Sequence, residues 1–336
     1  MKIKLLISML VIALLLVGCG GEEATVGSLE EDSLAVYASF YPLYYVANRI
    51  GGDKVDVELL VPYGTEVHSY EPSPRKIAQL EGADIFFYNG LDLEPWGERV
   101  DQNLSEVGVR VVKVSDGIEV LDYDGCGHDH SHDSHGHSHS HSHNDNGHSH
   151  SHNDHGHDHY HGEYDPHIWL NPLNMKVIGG RMMEEFISLD PKNEDYYRQN
   201  YNEFAQEIEQ LDKEYEEGLA NRKSDYILVS HSAFQYMAER YGLKELSVSG
   251  ISPHQEPSPA NLARLVREVE DHNLEYIFLE VLAAPRTAEV LAQEANLEVM
   301  ILNPIEGLRP EDVDEGEDYF SIMRKNLETL KKALVK

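Results

Sequence analysis

The chain has almost no cysteine: two residues in 336, Cys19 and Cys126. With one of them close to the N-terminus, an internal disulfide framework is excluded, and an exported fold must rest on its core alone. Basic residues are also scarce, with 27 Lys and Arg against 60 Asp and Glu, for a formal net charge of −33 with histidine neutral. A surface of that sign repels phosphate backbones and anionic headgroups, which excludes nucleic-acid binding and electrostatic membrane docking. Long apolar runs are missing too. The longest, Leu5 to Val17, is broken only by Ser8 and spans roughly 20 Å as a helix, short of a membrane crossing. What remains is 41% hydrophobic content and 19 tyrosines, enough for a packed core and against wholesale disorder. At about 150 residues per domain the length corresponds to roughly two domains.

Lys2 and Lys4 precede the apolar run and small residues follow it, so residues 1–18 read as an export signal. Leu16-Val17-Gly18-Cys19 is similar to a lipobox, in which cleavage leaves Cys19 as the lipidated first residue; a plain cleaved signal is the alternative. Acid-rich residues 19–33 then read as a tether. The expectation is an exported protein anchored to the outer face of the cytoplasmic membrane, on the periplasmic or extracellular side.

Histidine is the residue in excess. Of 20 in the chain, 15 lie in one tract: His128, His130, His132, His135, His137, His139, His141, His143, His148, His150, His152, His155, His157, His159 and His161. The tract lacks Lys, Arg and an apolar face, so residues 125–163 read as a mobile loop. Imidazoles at two-residue spacing point to metal, several ions each held more weakly than in a closed site because ordering the loop costs entropy. Cys126 lies two residues before His128, within reach of the tract as a further ligand.

Short apolar runs at Leu34–Ser39, Val55–Val61, Ala83–Tyr88 and Val109–Val114 are spaced for strand–helix–strand crossovers, and the rhythm returns at Tyr226–Ser230, Ser247–Gly250, Tyr276–Glu280 and Glu298–Asn303. Helical stretches follow at Leu173–Leu189, Pro259–Asn273 and Tyr319–Leu334. Tyr197, Tyr201, Phe204, Ile208 and Leu211 make one apolar stripe along residues 192–220, a helix of about 43 Å. The fold class expected is therefore α/β: an N-terminal lobe at 34–191, a linking helix at 192–220 and a C-terminal lobe at 221–336, with a cleft between the lobes.

Five histidines lie outside the tract: His68, His167, His231, His254 and His272. His68, His167 and His231 follow strand runs on the cleft side, where open α/β sheets bind ligands. Three imidazoles from separate loops make a tetrahedral zinc site with one free position. Such a site also suits a zinc hydrolase, but no nucleophile elbow, no His-Glu-x-x-His and no obvious general base accompanies it. His272, in Glu270-Asp-His-Asn273, reads as solvent-facing.

Four stretches in order carry a likeness: the loop around His68, Asp165-Pro-His-Ile-Trp169, Ser230-His-Ser-Ala-Phe234 with Arg240-Tyr-Gly-Leu243, and Gly250-Ile-Ser-Pro-His-Gln-Glu-Pro-Ser-Pro259. The chain resembles the metal-binding solute receptors of ABC importers, a family of zinc receptors, manganese receptors and adhesin lipoproteins. The resemblance implies two Rossmann-like lobes bridged by one rigid helix, a metal clamped between them, and no chemical step. It implies Zn2+ as the transported ion, delivered by a monomer to an ABC permease and its ATPase, with the His-rich loop as an auxiliary store. The family ligands fall on His68, His167 and His231, the third favouring zinc because manganese-type members generally carry glutamate there. The fourth position, normally aspartate, falls on Asn303, which leaves water, Asn303, Glu306 or Glu66 to complete the shell. His254 falls where the family often has an acid and is not expected to be a ligand. A manganese or iron receptor, or a metal-buffering adhesin of the same fold, is the alternative.

Overall fold

A computed structural model of the chain describes residues 33–123, 164–283 and 286–335. The export signal, Cys19, Cys126 and the fifteen tract histidines fall outside the described residues. The first lobe runs β1 (Leu34–Ala38), α1 (Tyr41–Gly51), β2 (Val55–Leu59), α2 (Pro74–Leu80), β3 (Ile85–Tyr88), α3 (Gly97–Val107) and β4 (Arg110–Lys113). After the gap come α4 (Pro172–Leu189) and α5 (Glu194–Leu219). The second lobe runs β5 (Tyr226–Val229), α6 (Gln235–Tyr241), β6 (Lys244–Ser247), α7 (Pro259–Asp271), β7 (Tyr276–Leu279), α8 (Arg286–Glu294) and β8 (Glu298–Ile301), and α9 (Pro310–Asp314) and α10 (Tyr319–Leu334) close the chain.

The sheets share one topology, β2-β1-β3-β4 and β6-β5-β7-β8, and every pairing is parallel. Winding reverses once in each sheet, between β1 and β3 and between β5 and β7. A crevice therefore opens at the C-terminal ends of the strands in each lobe.

Strand alternation divides the core. Ile85 and Phe87 of β3 face the interior shared by both lobes, whereas Phe86 and Tyr88 pack outward with Leu80, Val100 and Leu104. In β5, Ile227 and Val229 face that interior and Leu228 packs outward with Leu265, Val269 and Leu291. This is the period of two that a strand buried on both faces imposes. The shared interior also takes Leu43 and Val46 of α1, Ile178 and Met182 of α4, Phe204, Ile208 and Leu211 of α5, and Met323 and Leu327 of α10. One continuous apolar cluster thus joins the lobes, so they are packed together and not merely tethered.

Helix α5, 26 residues long and so about 39 Å, is the strut of this packing. Of the stripe residues, Tyr197, Phe204, Ile208 and Leu211 are buried and Tyr201 is half-buried. Its first turn carries Glu194 and Asp195 against the positive end of the helix dipole. Helix α4 comes close enough that a Cβ on Gly179 would lie 2.9 Å from the Phe204 ring, which requires glycine there.

One strand differs from the sequence expectation. β6 is Lys244–Ser247 instead of Ser247–Gly250, because its opening Lys-Glu pair hides it among charged residues. The Val248 and Ser249 amides still bond the Val229 and Ser230 carbonyls, at 3.0 Å each, and extend the ladder to the cleft. Among the described residues no helix is long and apolar enough to cross a membrane.

Candidate metal centre

Four side chains converge between the lobes. His68 stands on the loop from β2 to α2, and His167 precedes a 3-10 turn at Ile168–Leu170. His231 lies two residues beyond β5, and Glu306 five residues beyond β8. Each lobe thus supplies two. One donor atom from each lies within 4.8 Å of the others.

Glu306 Oε1 is 3.2 Å from His231 Nε2, 3.3 Å from His167 Nε2 and 3.5 Å from His68 Nε2. The Nε2 atoms of His68 and His167 are 3.2 Å apart. Two donors sharing one tetrahedral zinc at bond lengths of about 2.0–2.1 Å stand about 3.3–3.4 Å from each other. These four separations therefore match four of the six edges of a zinc tetrahedron.

Two of the imidazoles are oriented from behind. Asp165 Oδ1 lies 2.7 Å from His167 Nδ1 and also accepts the His167 backbone N–H at 2.9 Å. Glu280 Oε1 lies 2.8 Å from His231 Nδ1 and accepts the Ser230 hydroxyl at 3.1 Å. With Nδ1–H donated to a carboxylate, each ring turns the Nε2 lone pair inward, the state a metal requires. Three buried acids, Glu306, Asp165 and Glu280, thereby surround neutral donors, a field suited to a dication.

Protons compete for the same atoms. Burial pushes the His167 imidazole down, but Asp165 and Glu306 outweigh it and hold its pKa up to about 9. Burial likewise opposes charge on His231, and Glu280 and Glu306 overcome it, leaving the pKa well above the ordinary value. Burial would raise Glu306, yet His167, His231 and His68 hold its carboxyl well below the usual range.

The loop carrying Glu306 is held from several sides. Asn326 of α10 receives the Asn303 N–H on Oδ1 at 2.9 Å and donates to the Asn303 carbonyl at 2.7 Å. The Trp169 indole donates to the Pro304 carbonyl at 2.7 Å, from the opposite lobe. Asn303 Oδ1 accepts the Ile305 N–H at 2.8 Å. Ile305 has φ 58°, a left-handed conformation that is strained for a β-branched side chain and that re-aims the chain into Glu306. Across the cleft, the Gly64 N–H reaches the Leu308 carbonyl at 2.8 Å and ties this loop to that of His68.

His68, His167 and His231 are thus brought together. Asn303, the candidate for the fourth position, commits its amide oxygen to the Ile305 turn, and Glu306 stands in the fourth place. Glu66 is beside the centre but not in it: its oxygens accept the His68 and Ser69 amides at 2.6 and 3.0 Å. His254 lies at the mouth, exposed, with Nε2 3.3 Å from Glu66 Oε2. His272 is remote and half-buried instead of solvent-facing, because its ring stacks on Tyr226 with centroids 3.7 Å apart. Sequence reasoning missed Asp165 and Glu280 as orienting groups. The signal available for Glu280 was an acid ending an apolar strand, Tyr276-Ile-Phe-Leu-Glu280, on the cleft side.

The family profile described as "ZnuA: Zinc-uptake complex component A periplasmic" matches residues 36–333. The chain belongs to this family. The high-affinity zinc uptake system protein ZnuA of Bacillus subtilis is 35% identical over 96% of this chain and 94% of its own length. The zinc-binding lipoprotein AdcA of Streptococcus pneumoniae is 33% identical over 98% of this chain, which spans 60% of that longer protein. The crystal structure of the Zn(II)-bound ZnuA-like domain of S. pneumoniae AdcA is 31% identical, covers 90% of this chain and all of that domain, and superposes with a TM-score of 0.71. Membership of the zinc-uptake component A family makes this chain a solute receptor and not an enzyme.

Proposed function

We propose that the chain is the extracytoplasmic zinc receptor of an ABC importer, anchored through lipid on Cys19, which clamps Zn2+ between His68, His167, His231 and Glu306 and delivers it to a membrane permease. The observation that carries this reading is the set of four Nε2 and Oε1 separations of 3.2–3.5 Å between side chains from both lobes. Three imidazoles and one carboxylate are a zinc donor set, whereas manganese favours oxygen-rich, six-coordinate shells. Release follows from small displacements of the second lobe, since parting the lobes separates His231 and Glu306 from His68 and His167 and leaves each half with two donors.

The His-rich tract serves the same function as a capture store. The described chain stops at Tyr123 and resumes at Tyr164, and Asp122 forms a bridge with Tyr164. The residues flanking the tract are thus paired, and Tyr164 stands three residues before His167. The excess of acids concentrates cations around the molecule, although salt screens this beyond about 8–10 Å. Zinc titration of the purified chain and of His231→Ala tests the reading: the variant, left with three donors, should lose at least about 100-fold in affinity at the tight site. Undiminished tight binding in the variant would remove His231 from the centre.

A further inference from the structure

The four donors are not equally accessible. The side chains of His167 and His231 are fully buried and that of Glu306 is 1% exposed, whereas that of His68 keeps 6%. An ion coming from solvent therefore meets the centre at His68. On that side stands an unused pair of metal-capable groups drawn from opposite lobes. His254, on the loop between β6 and α7, has a side chain 61% exposed, and its Nε2 lies 3.3 Å from Oε2 of Glu66. Glu66, two residues before His68, is 8% exposed, and its carboxylate already fixes the loop by accepting the His68 and Ser69 amides. The His254 loop is in turn tied to the strand end that carries His231, because the Ser232 N–H bonds the Gly250 carbonyl at 2.9 Å.

We infer that His254 and Glu66 form an outer, transient zinc-binding pair at the cleft mouth, through which the ion passes to and from His68. A separation of 3.3 Å between an imidazole nitrogen and a carboxylate oxygen equals the spacing of two donors on one tetrahedral zinc. Hydrated zinc bound there keeps its remaining waters, as an exposed site allows. It then exchanges them one at a time for the inner imidazoles, beginning with His68, which shares a loop with Glu66. With only two protein donors the pair holds the ion loosely, so it alters the rate of exchange and not the affinity of the closed centre. This inference rests on the zinc-receptor reading.

The test uses the full chain and His254→Gln, whose amide can still bond Glu66 but is a poor zinc ligand. Zinc affinity of the tight site is measured by competition with a chromogenic chelator. Zinc uptake, and the slow phase of release to excess chelator, are followed by stopped flow. The pair predicts that uptake and slow release both fall by about three- to tenfold in the variant while the equilibrium affinity stays within about twofold. Unchanged rates would overturn it. So would weakened affinity with faster release, which would make His254 a latch or a ligand of the closed centre. Absence of any tight site in the unmodified chain would instead sink the receptor reading itself.

Discussion

The imidazole of His231, just beyond β5, is held by Glu280, the first residue after β7, with Nδ1 2.8 Å from Oε1 and both side chains almost fully buried. The contact fixes which ring nitrogen carries the proton and leaves Nε2 facing Glu306. A carboxylate in this place raises the basicity of the imidazole and locks its rotation.

Glu280→Gln should therefore weaken zinc binding by about 10- to 100-fold while the fold persists. Competition titration checks the affinity, and thermal unfolding of the metal-free variant checks the fold. Asp165→Asn should act in the same direction through His167.

Glu306→Gln should weaken zinc more than Asn303→Asp does. The first removes the only carboxylate in the tetrahedron; the second keeps an oxygen able to accept the Ile305 amide. Asn303→Ala should cost about 1–3 kcal/mol of stability, because it leaves the Ile305 N–H unpaired in a strained, buried turn. Urea unfolding of the three variants, paired with zinc titration, separates a ligand from a turn residue.

Zinc affinity should climb as pH rises from 6 to about 9. Zinc takes the neutral imidazole, and the His167 pKa is held up to about 9, so near neutrality binding must expel a proton. Calorimetry in buffers of different ionisation heat should register net proton release at pH 7, with affinity falling on the acid side. The metal-free protein should show the opposite trend in stability, read by thermal unfolding across the same pH range. A histidine whose folded pKa is raised contributes fully below the unfolded value of about 6.5 and loses that contribution as pH rises towards about 9.

Deleting residues 127–162 should leave one tight zinc site while reducing total bound zinc by several ions. Equilibrium dialysis followed by elemental analysis measures both. Loss of the tight site on deletion would mean that the tract supplies part of the centre.

The three histidines that the fold brings together were legible because each sits in a strand-following segment with a distinctive neighbourhood. Glu306 was one choice among several because acids number 60 in this chain, and nothing local separates a ligand from a solvating group. Its selection depends on the left-handed Ile305 and on Asn326, 20 residues further on, which only the folded chain brings to bear. Asp165 and Glu280 were missed for the same reason: their role is a contact with a ring nitrogen. The strands were readable as short apolar runs at crossover spacing, and the stripe of α5 from its three- and four-residue periodicity. β6 was misplaced because it opens on Lys244 and the half-buried Glu245, whose carboxyl is pushed up to about 7 chiefly by desolvation and then by Asp165, and a charged pair opening a strand is invisible to a hydropathy pattern.

The central claim is a centre built for zinc, and the most direct test is a competition between zinc and manganese for the full chain, read as metal retained after dialysis. The donor set predicts one equivalent of tightly held zinc even with manganese in large excess, and its loss in His231→Ala. Retention of manganese in place of zinc would contradict the account.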